Sequence, residues 1–265
     1  MSEARRPLWR AKLKAFGLHF SISLGLFAAI IAATLELWYP PPYFWIDGGW
    51  FVVRLAAIVD IILGPLLTLI IFKPGKRLLA LNLAVIAMVQ SGFLVWGVNV
   101  LYQQRPLFAA YVGKPSERFF PVTKGLAQDG LRPLDEVLAL SSERPAIIAV
   151  RLPEDPAKAR ELLLAGLTGK ASVLRRTELF EPLAGAHLES LVAAGRSRTR
   201  IAEVWPIASA NVDRFLAERG GRFEDYAFVP MQGRYYIALL AFEHRTGRYA
   251  GALYTHDRLA TLYGY

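Results

Sequence analysis

Apolar residues run almost unbroken through positions 16–38, 50–72 and 78–102. A bilayer core about 30 Å thick needs about 20 helical residues, so each run predicts a membrane-spanning helix. The pattern changes after Gln103, where charges recur every few residues and the apolar positions shorten into strand-length runs. Strands are predicted at 106–112 and 118–122, split by Gly113-Lys114-Pro115, and at 146–152. A helix is predicted from Glu154-Asp155-Pro156 to about 167 and another over 207–218, stopped by Gly220-Gly221. The last third reads as paired strands at 226–231, 235–243 and 249–254, with turns at Gln232-Gly233 and Thr246-Gly247. Strands, then helices, then strands predict a small α+β domain, mainly antiparallel, with helices on one side. The expected layout is a basic N-terminus over 1–15, three transmembrane helices within 16–102, and an α+β domain over 103–265.

Charge assigns sides to this layout. The net charge is +9, and +7 of it sits in two short segments: residues 1–15, and Lys73, Lys76 and Arg77. Residues 103–265 hold 22 Lys and Arg against 18 Asp and Glu, while the loop after the first run has Asp47 and no base. Short loops rich in Lys and Arg stay cytoplasmic. The N-terminus and second loop are therefore expected inside, and the first loop and the domain outside, which in a bacterium is the periplasm. The excess marks sidedness rather than a nucleic-acid-binding face. The first run is longer than the h-region of a signal peptide, and Leu37-Trp38-Tyr39-Pro40 is a poor cleavage context, so an uncleaved helix is expected.

Within the runs, Asp60 lies near the middle of the second, where an ionisable group is costly and usually functional. Gly64 and Thr68 follow at i+4 and i+8 on the same face, extended outward by Ala56 and Ala57, and Pro65 is expected to bend the helix and free a carbonyl. Such a face either docks a partner helix or packs against the first and third runs, where Gln90 can satisfy Asp60. At the outer boundary stand Trp38, Tyr39, Pro40, Pro41, Pro42, Tyr43, Phe44, Trp45 and Trp50. Amphipathic rings suit headgroups, and the prolines make a stiff link. Arg54 can snorkel or meet Glu36, and His19 reads as a boundary residue.

The chain has no cysteine, which excludes disulfides and thiolate sites. His187, His244 and His256 are scattered without metal-ligand spacing, no phosphate-binding glycine loop or nucleophile elbow is present, and Arg196, Arg198 and Arg200 read as a solvated cluster. No catalytic, metal or cofactor site is expected, and the protein is not expected to be an enzyme.

Three stretches carry a family resemblance: W-R-A-K-L-K-A-F-G-L-H at 9–19, Y-P-P-P-Y-F at 39–44, and D-x-x-L-G-P-L-L-T at 60–68, continuing to Lys76. With the sequence over 83–106 they resemble the TfpX/TfpZ type IV pilin accessory proteins. The likeness covers the membrane half and fades beyond about Val122. It implies an inner-membrane, chaperone-like protein whose partner is a type IV major pilin. The physics of small-residue packing then points to the face of Asp60, Gly64, Thr68, Ala57 and Pro65, with Gln90, as the place where the pilin's helix would dock. The periplasmic domain would meet the pilin head, with strand edges open to pairing, and a homo-oligomer is compatible. Rival readings are a membrane-anchored periplasmic ligand sensor and a subunit of a larger membrane complex or transporter.

Overall fold

The computed structural model describes residues 5–167 and 172–258. They form two compact units, one in the chain up to Trp38 and Gly49–Tyr102, the other in Tyr39–Gly48 and from Gln103 onward.

In the helical unit, α1 (Arg5–Ala33) passes into a π turn at Thr34–Trp38. The short α2 (Tyr43–Ile46) belongs to the second unit. Helix α3 (Gly49–Ala57), a π turn at Ile58–Leu63 and α4 (Gly64–Ile71) make one continuous rod, and α5 (Leu79–Gln104) makes another. Pro65 explains the middle turn. It lacks an N–H, and its ring pushes on the carbonyl of Ile61. The ladder slips by one residue, so the Gly64 N–H donates to Val59 O, five residues back. Three helices, Pro7–Trp38, Gly49–Ile71 and Leu79–Gln104, are long and apolar enough to cross a membrane. The first begins earlier than the apolar pattern suggests, because the basic segment is itself helical from Arg5.

The second unit is built on a seven-stranded sheet. In chain order it contains β1 (Pro106–Val112), β2 (Arg118–Thr123), α6 (Lys124–Ala127), α7 (Leu134–Leu138), β3 (Ala146–Val150), α8 (Pro156–Leu167) and β4 (Phe180–Pro182). Then follow α9 (Ala186–Ala193), α10 (Arg198–Val204), α11 (Pro206–Arg219), β5 (Tyr226–Gln232), β6 (Tyr236–Glu243) and β7 (Tyr249–Arg258). The strand order is β4-β3-β1-β2-β5-β6-β7. The sheet is mainly antiparallel, as expected, in four of its six pairings, but it is mixed, because β1 runs parallel to β3 and β2 parallel to β5. The β2–β5 junction joins two halves, and each half has its own core.

One core gathers Phe108, Ala110, Val112, Val122, Ile148 and Phe180. The other sets Ala208, Val212 and Leu216, at i, i+4 and i+8 on α11, against Phe228, Ile237, Leu239 and Ala241. Pro206 opens α11, and Gly220, at φ 71°, ends it in the left-handed conformation that costs glycine nothing. The intervening strand positions, Tyr111, Phe119, Met231, Leu240 and Phe242 among them, are also no more than 1% exposed. Both faces are therefore covered, and the expectation of helices on one side is corrected. Tyr111 Oη lies 3.3 Å from Ser190 Oγ of α9, which places α9 on the face opposite the first core.

Residues Tyr39–Gly48 are part of this unit. Tyr39, Tyr43, Phe44 and Ile46 are buried in it. Trp45 meets Tyr236 at 5.7 Å with the rings tilted by 35°, and Tyr254 edge-on. The contact is fixed at the β5–β6 hairpin. Gly233 N–H donates to Tyr236 O, leaving Arg234 and Tyr235 as the tip. The tip's own N–H groups go to the loop: Tyr235 N–H to Ile46 O at 2.9 Å, and Arg234 N–H to Asp47 Oδ1 at 3.0 Å.

Burial pushes the Asp47 carboxyl up, against the opposing pull of the Arg234 N–H and guanidinium. The folded state thus holds the proton more tightly than the unfolded chain. Its stabilising contribution is full at pH below the ordinary aspartate value of 3.8 and declines as pH rises through the raised value. Asp47→Asn keeps an acceptor for Arg234 N–H without the charge, so it should flatten this part of the stability–pH curve. Asp47→Ala removes the acceptor and should cost about 1 kcal/mol at every pH. Thermal unfolding of the three proteins in acid and at neutrality checks this; indistinguishable Asn and Ala variants would contradict it.

Candidate functional site

The helical unit encloses a crevice of about 440 Å³ walled by α1, the α3–α4 rod and α5. Its walls are apolar, but Asp60, His19, Thr68, Gln90, Ser23 and Ser91 reach into it. The π turn places Asp60 there, widening the backbone just before Pro65. A second, smaller cavity of about 70 Å³ shares Asp60 and is otherwise apolar, lined by residues such as Val53, Phe93 and Gly97. Asp60 therefore stands between a roomy crevice that holds several polar groups and a small, apolar pocket.

The polar groups differ in how well they are satisfied. His19 Nδ1 and Thr68 Oγ1 lie 2.7 Å apart, tying α1 to α4. Lys12 Nζ donates to Ile70 O at 3.1 Å, two turns nearer the N-terminus of α1. At Gly64 the Gln90 side chain of α5 lies against the α3–α4 rod. A Cβ on Gly64 would fall 1.8 Å from Gln90 Nε2, so only glycine admits the amide. The Gln90 Oε1 atom is buried without a hydrogen-bond partner. The expected Asp60–Gln90 bond is not formed.

Of the residues singled out in the sequence, Gly64, Pro65 and Thr68 are buried inside the unit. Gly64 and Thr68 are engaged by the chain's own Gln90 and His19, and Ala57 is half-buried. The opening left for another molecule is the crevice beside Asp60 rather than the glycine itself. Trp38 packs edge-on against Tyr102 at 5.4 Å. Pro40, Pro41 and Pro42 lead into the docked loop, where burial raises the phenol pKa of both Tyr39 and Tyr43. Trp50 remains exposed. Among the described residues, Glu36 and Arg54 do not form the ion pair that the sequence allowed. Sequence reasoning missed the His19–Thr68 bond because His19 sits 49 residues from its partner, with no local motif to join them.

In the second unit the polar side chains pair off structurally. Arg196 meets Glu117, Arg198 meets Asp213 and Arg200 meets Glu203, so the arginine cluster dissolves into separate pairs. His187 Nε2 lies 3.0 Å from Glu181 Oε2. Asp155 Oδ1 accepts the Ala157 N–H at the start of α8. The His256 side chain lies outside the described residues. Among the described residues, no group of three His, Asp or Glu is placed to hold a metal ion. The sheet edges suit strand pairing poorly: β4 is short and ends in Pro182, and β7 shifts register twice against β6 while Asn211 takes its Tyr254 carbonyl.

Comparison with known proteins places these features. The profile of the Fimbrial assembly protein FimB family matches residues 7–48, which is α1 and the docked loop. Three relatives from Dichelobacter nodosus align over 109 residues, or 40% of this chain. The fimbrial assembly protein of serogroups C1 and C2 is 32% identical, with 82% of its length covered. Those of serogroup I and serogroup E1 are 32% and 31% identical, with 42% of each covered, so the chain spans less than half of these two. No solved structure matches the chain.

The seat of Gln90 against Gly64 can be checked by a double-mutant cycle. Gly64→Ala should drive the amide out and destabilise the helical unit by about 1–3 kcal/mol. Gln90→Ala should remove most of that penalty, giving a coupling of about 1 kcal/mol or more. Additive effects on thermal unfolding in detergent would show that the two residues do not meet.

Proposed function

Because the chain belongs to the fimbrial assembly protein FimB family, we propose that it serves pilus assembly as an inner-membrane accessory protein that holds an unassembled type IV pilin. In this reading the three apolar helices span the membrane, the N-terminus is cytoplasmic, and the mixed-sheet unit is periplasmic. Two observations support the arrangement. The charges of the short loops favour it. In addition, the first loop is built into the same unit as the C-terminal strands, and an odd number of crossings separates both from the N-terminus.

The crevice beside Asp60 carries the functional reading. It is a lateral opening with apolar walls and a floor that offers acceptors, including an unpaired Gln90 Oε1. A helix entering it would exchange lipid contacts for packing and gain one or two hydrogen bonds. Such bonds between membrane helices average about 0.6 kcal/mol, so the hold is weak enough to be released into a growing fibre. Chaperone-like protection of a subunit that must be handed on requires that balance. The acceptors also set a preference: an occupant with a donor at mid-depth pairs with Gln90 and Asp60, and a wholly apolar helix leaves them unsatisfied.

Ala87→Phe fills the crevice from α5, where the native side chain is small and exposed. The variant should insert normally yet co-purify several-fold less pilin, with fewer surface pili in cells. Unchanged pilin capture by an inserted Ala87→Phe protein would reject the crevice as the docking site.

A further inference from the structure

The β5–β6 hairpin has an unusual tip. Two-residue tips favour Asn, Asp or Gly, whose backbones accept positive φ. Here the tip is Arg234-Tyr235, and neither residue has positive φ. The local sequence does not favour this turn, and the bonds from the docked loop hold it. What the two side chains do is a separate matter. Both residues are exposed, Tyr235 at 46%. The Arg234 guanidinium makes no hydrogen bond or ion pair among the described residues, although Asp47 and Tyr39 lie within its electrostatic reach.

Chain connectivity limits where this tip can be. The helix entering the membrane after the loop starts at Gly49. Ile46 and Asp47 lie three and two residues before it, at most about 10 Å and 7 Å of extended chain. Tyr235 N is 2.9 Å from Ile46 O, and Arg234 N is 3.0 Å from Asp47 Oδ1. The tip backbone is thus pinned within about 15 Å of a span end. Arginine and tyrosine side chains extend several ångströms further, and the headgroup layer adds about 5–7 Å of its own. Tyrosine is enriched at that level, and a guanidinium matches a phosphate in charge and in paired donors.

We infer that Arg234 and Tyr235 form a lipid-binding element, with the guanidinium on phospholipid phosphates and the Tyr235 ring among the headgroups of the outer leaflet. The hairpin is then a foot that seats the periplasmic unit on the bilayer. This rests on the membrane-spanning reading proposed above, but not on the pilin or the crevice.

The absence of cysteine makes the test direct. Nitroxide labels are attached to Tyr235→Cys, to Arg245→Cys at the opposite end of β6, and to the exposed α5 position Met88→Cys, in nanodiscs of phosphatidylethanolamine and phosphatidylglycerol. Power-saturation spectroscopy then compares collision with oxygen, which favours lipid, against a water-soluble nickel chelate. The label at 235 should show an oxygen-to-nickel ratio several-fold above that at 245 and below that at 88. Adding Arg234→Glu should move the 235 ratio towards the 245 value, and Arg234→Lys should leave it nearly unchanged. If 235 matches 245 while 88 reads lipid, the lipid contact is overturned and the membrane reading stands. If 88 also reads water, the membrane reading fails and takes this inference with it. If 235 reads headgroup but Arg234→Glu changes nothing, the phosphate contact is overturned.

Discussion

Two backbone N–H groups at a hairpin tip tie the sheet unit of this protein to the loop between its first two apolar helices. Arg234 and Tyr235 cannot satisfy their own donors within a two-residue turn, and the loop Tyr39–Gly48 supplies Asp47 Oδ1 and Ile46 O. Around these bonds the loop buries Tyr39, Tyr43, Phe44 and Ile46. Each of those rings and chains would otherwise be displayed just beyond the ends of two apolar helices. The loop is thus both a covalent tie to those helices and part of the sheet unit's core. The segment matched by the family profile, residues 7–48, ends where that loop ends. Helix and loop together, rather than the helix alone, make up the recognisable element.

A different constraint shapes the helical unit. Proline within a helix must displace a carbonyl, and here the displacement becomes a π turn that holds Asp60 beside an open crevice. The neighbouring polar groups are divided in function. His19 and Thr68 satisfy each other and tie two helices. Gln90 takes a seat that the missing Cβ of Gly64 leaves open, and that seat leaves its oxygen unpaired. A unit whose sole task was to pack against itself would gain by closing this gap with apolar side chains, as buried unpaired acceptors cost free energy. The proposed pilin-holding role gives the gap a use.

Much of this could be read from the pattern of residues, and the rest could not for identifiable reasons. The three long helices follow from apolar runs alone. The strands near 106–112, 118–123, 146–150, 226–232 and 236–243 follow from β-branched and aromatic runs bounded by Gly and Pro. Sheet order did not follow, because the parallel partners β1 and β3 are separated by β2 and two short helices whose sequences carry weak periodicity. The loop also misled. Y-P-P-P-Y-F between two spans has the composition of a headgroup anchor, and nothing local distinguishes a ring facing lipid from one facing a sheet 190 residues away. At the candidate site, Asp60, Gly64, Thr68 and Gln90 stood out by position in the runs, whereas the His19 pairing and the crevice itself required the tertiary fold.

The account depends most on the loop and the β5–β6 hairpin being joined on the non-cytoplasmic side. Asp47→Cys paired with Arg234→Cys tests both points together. The Asp47 side chain reaches the Arg234 backbone, its Oδ1 lying 3.0 Å from the Arg234 N, so thiols at these two positions are neighbours in the folded unit and able to pair. No other cysteine competes. The account predicts that the bond forms spontaneously in growing cells, since only the oxidising compartment permits it, and is seen as a mobility shift abolished by reductant. Two free thiols in cells, with the double variant folded and inserted, would contradict it.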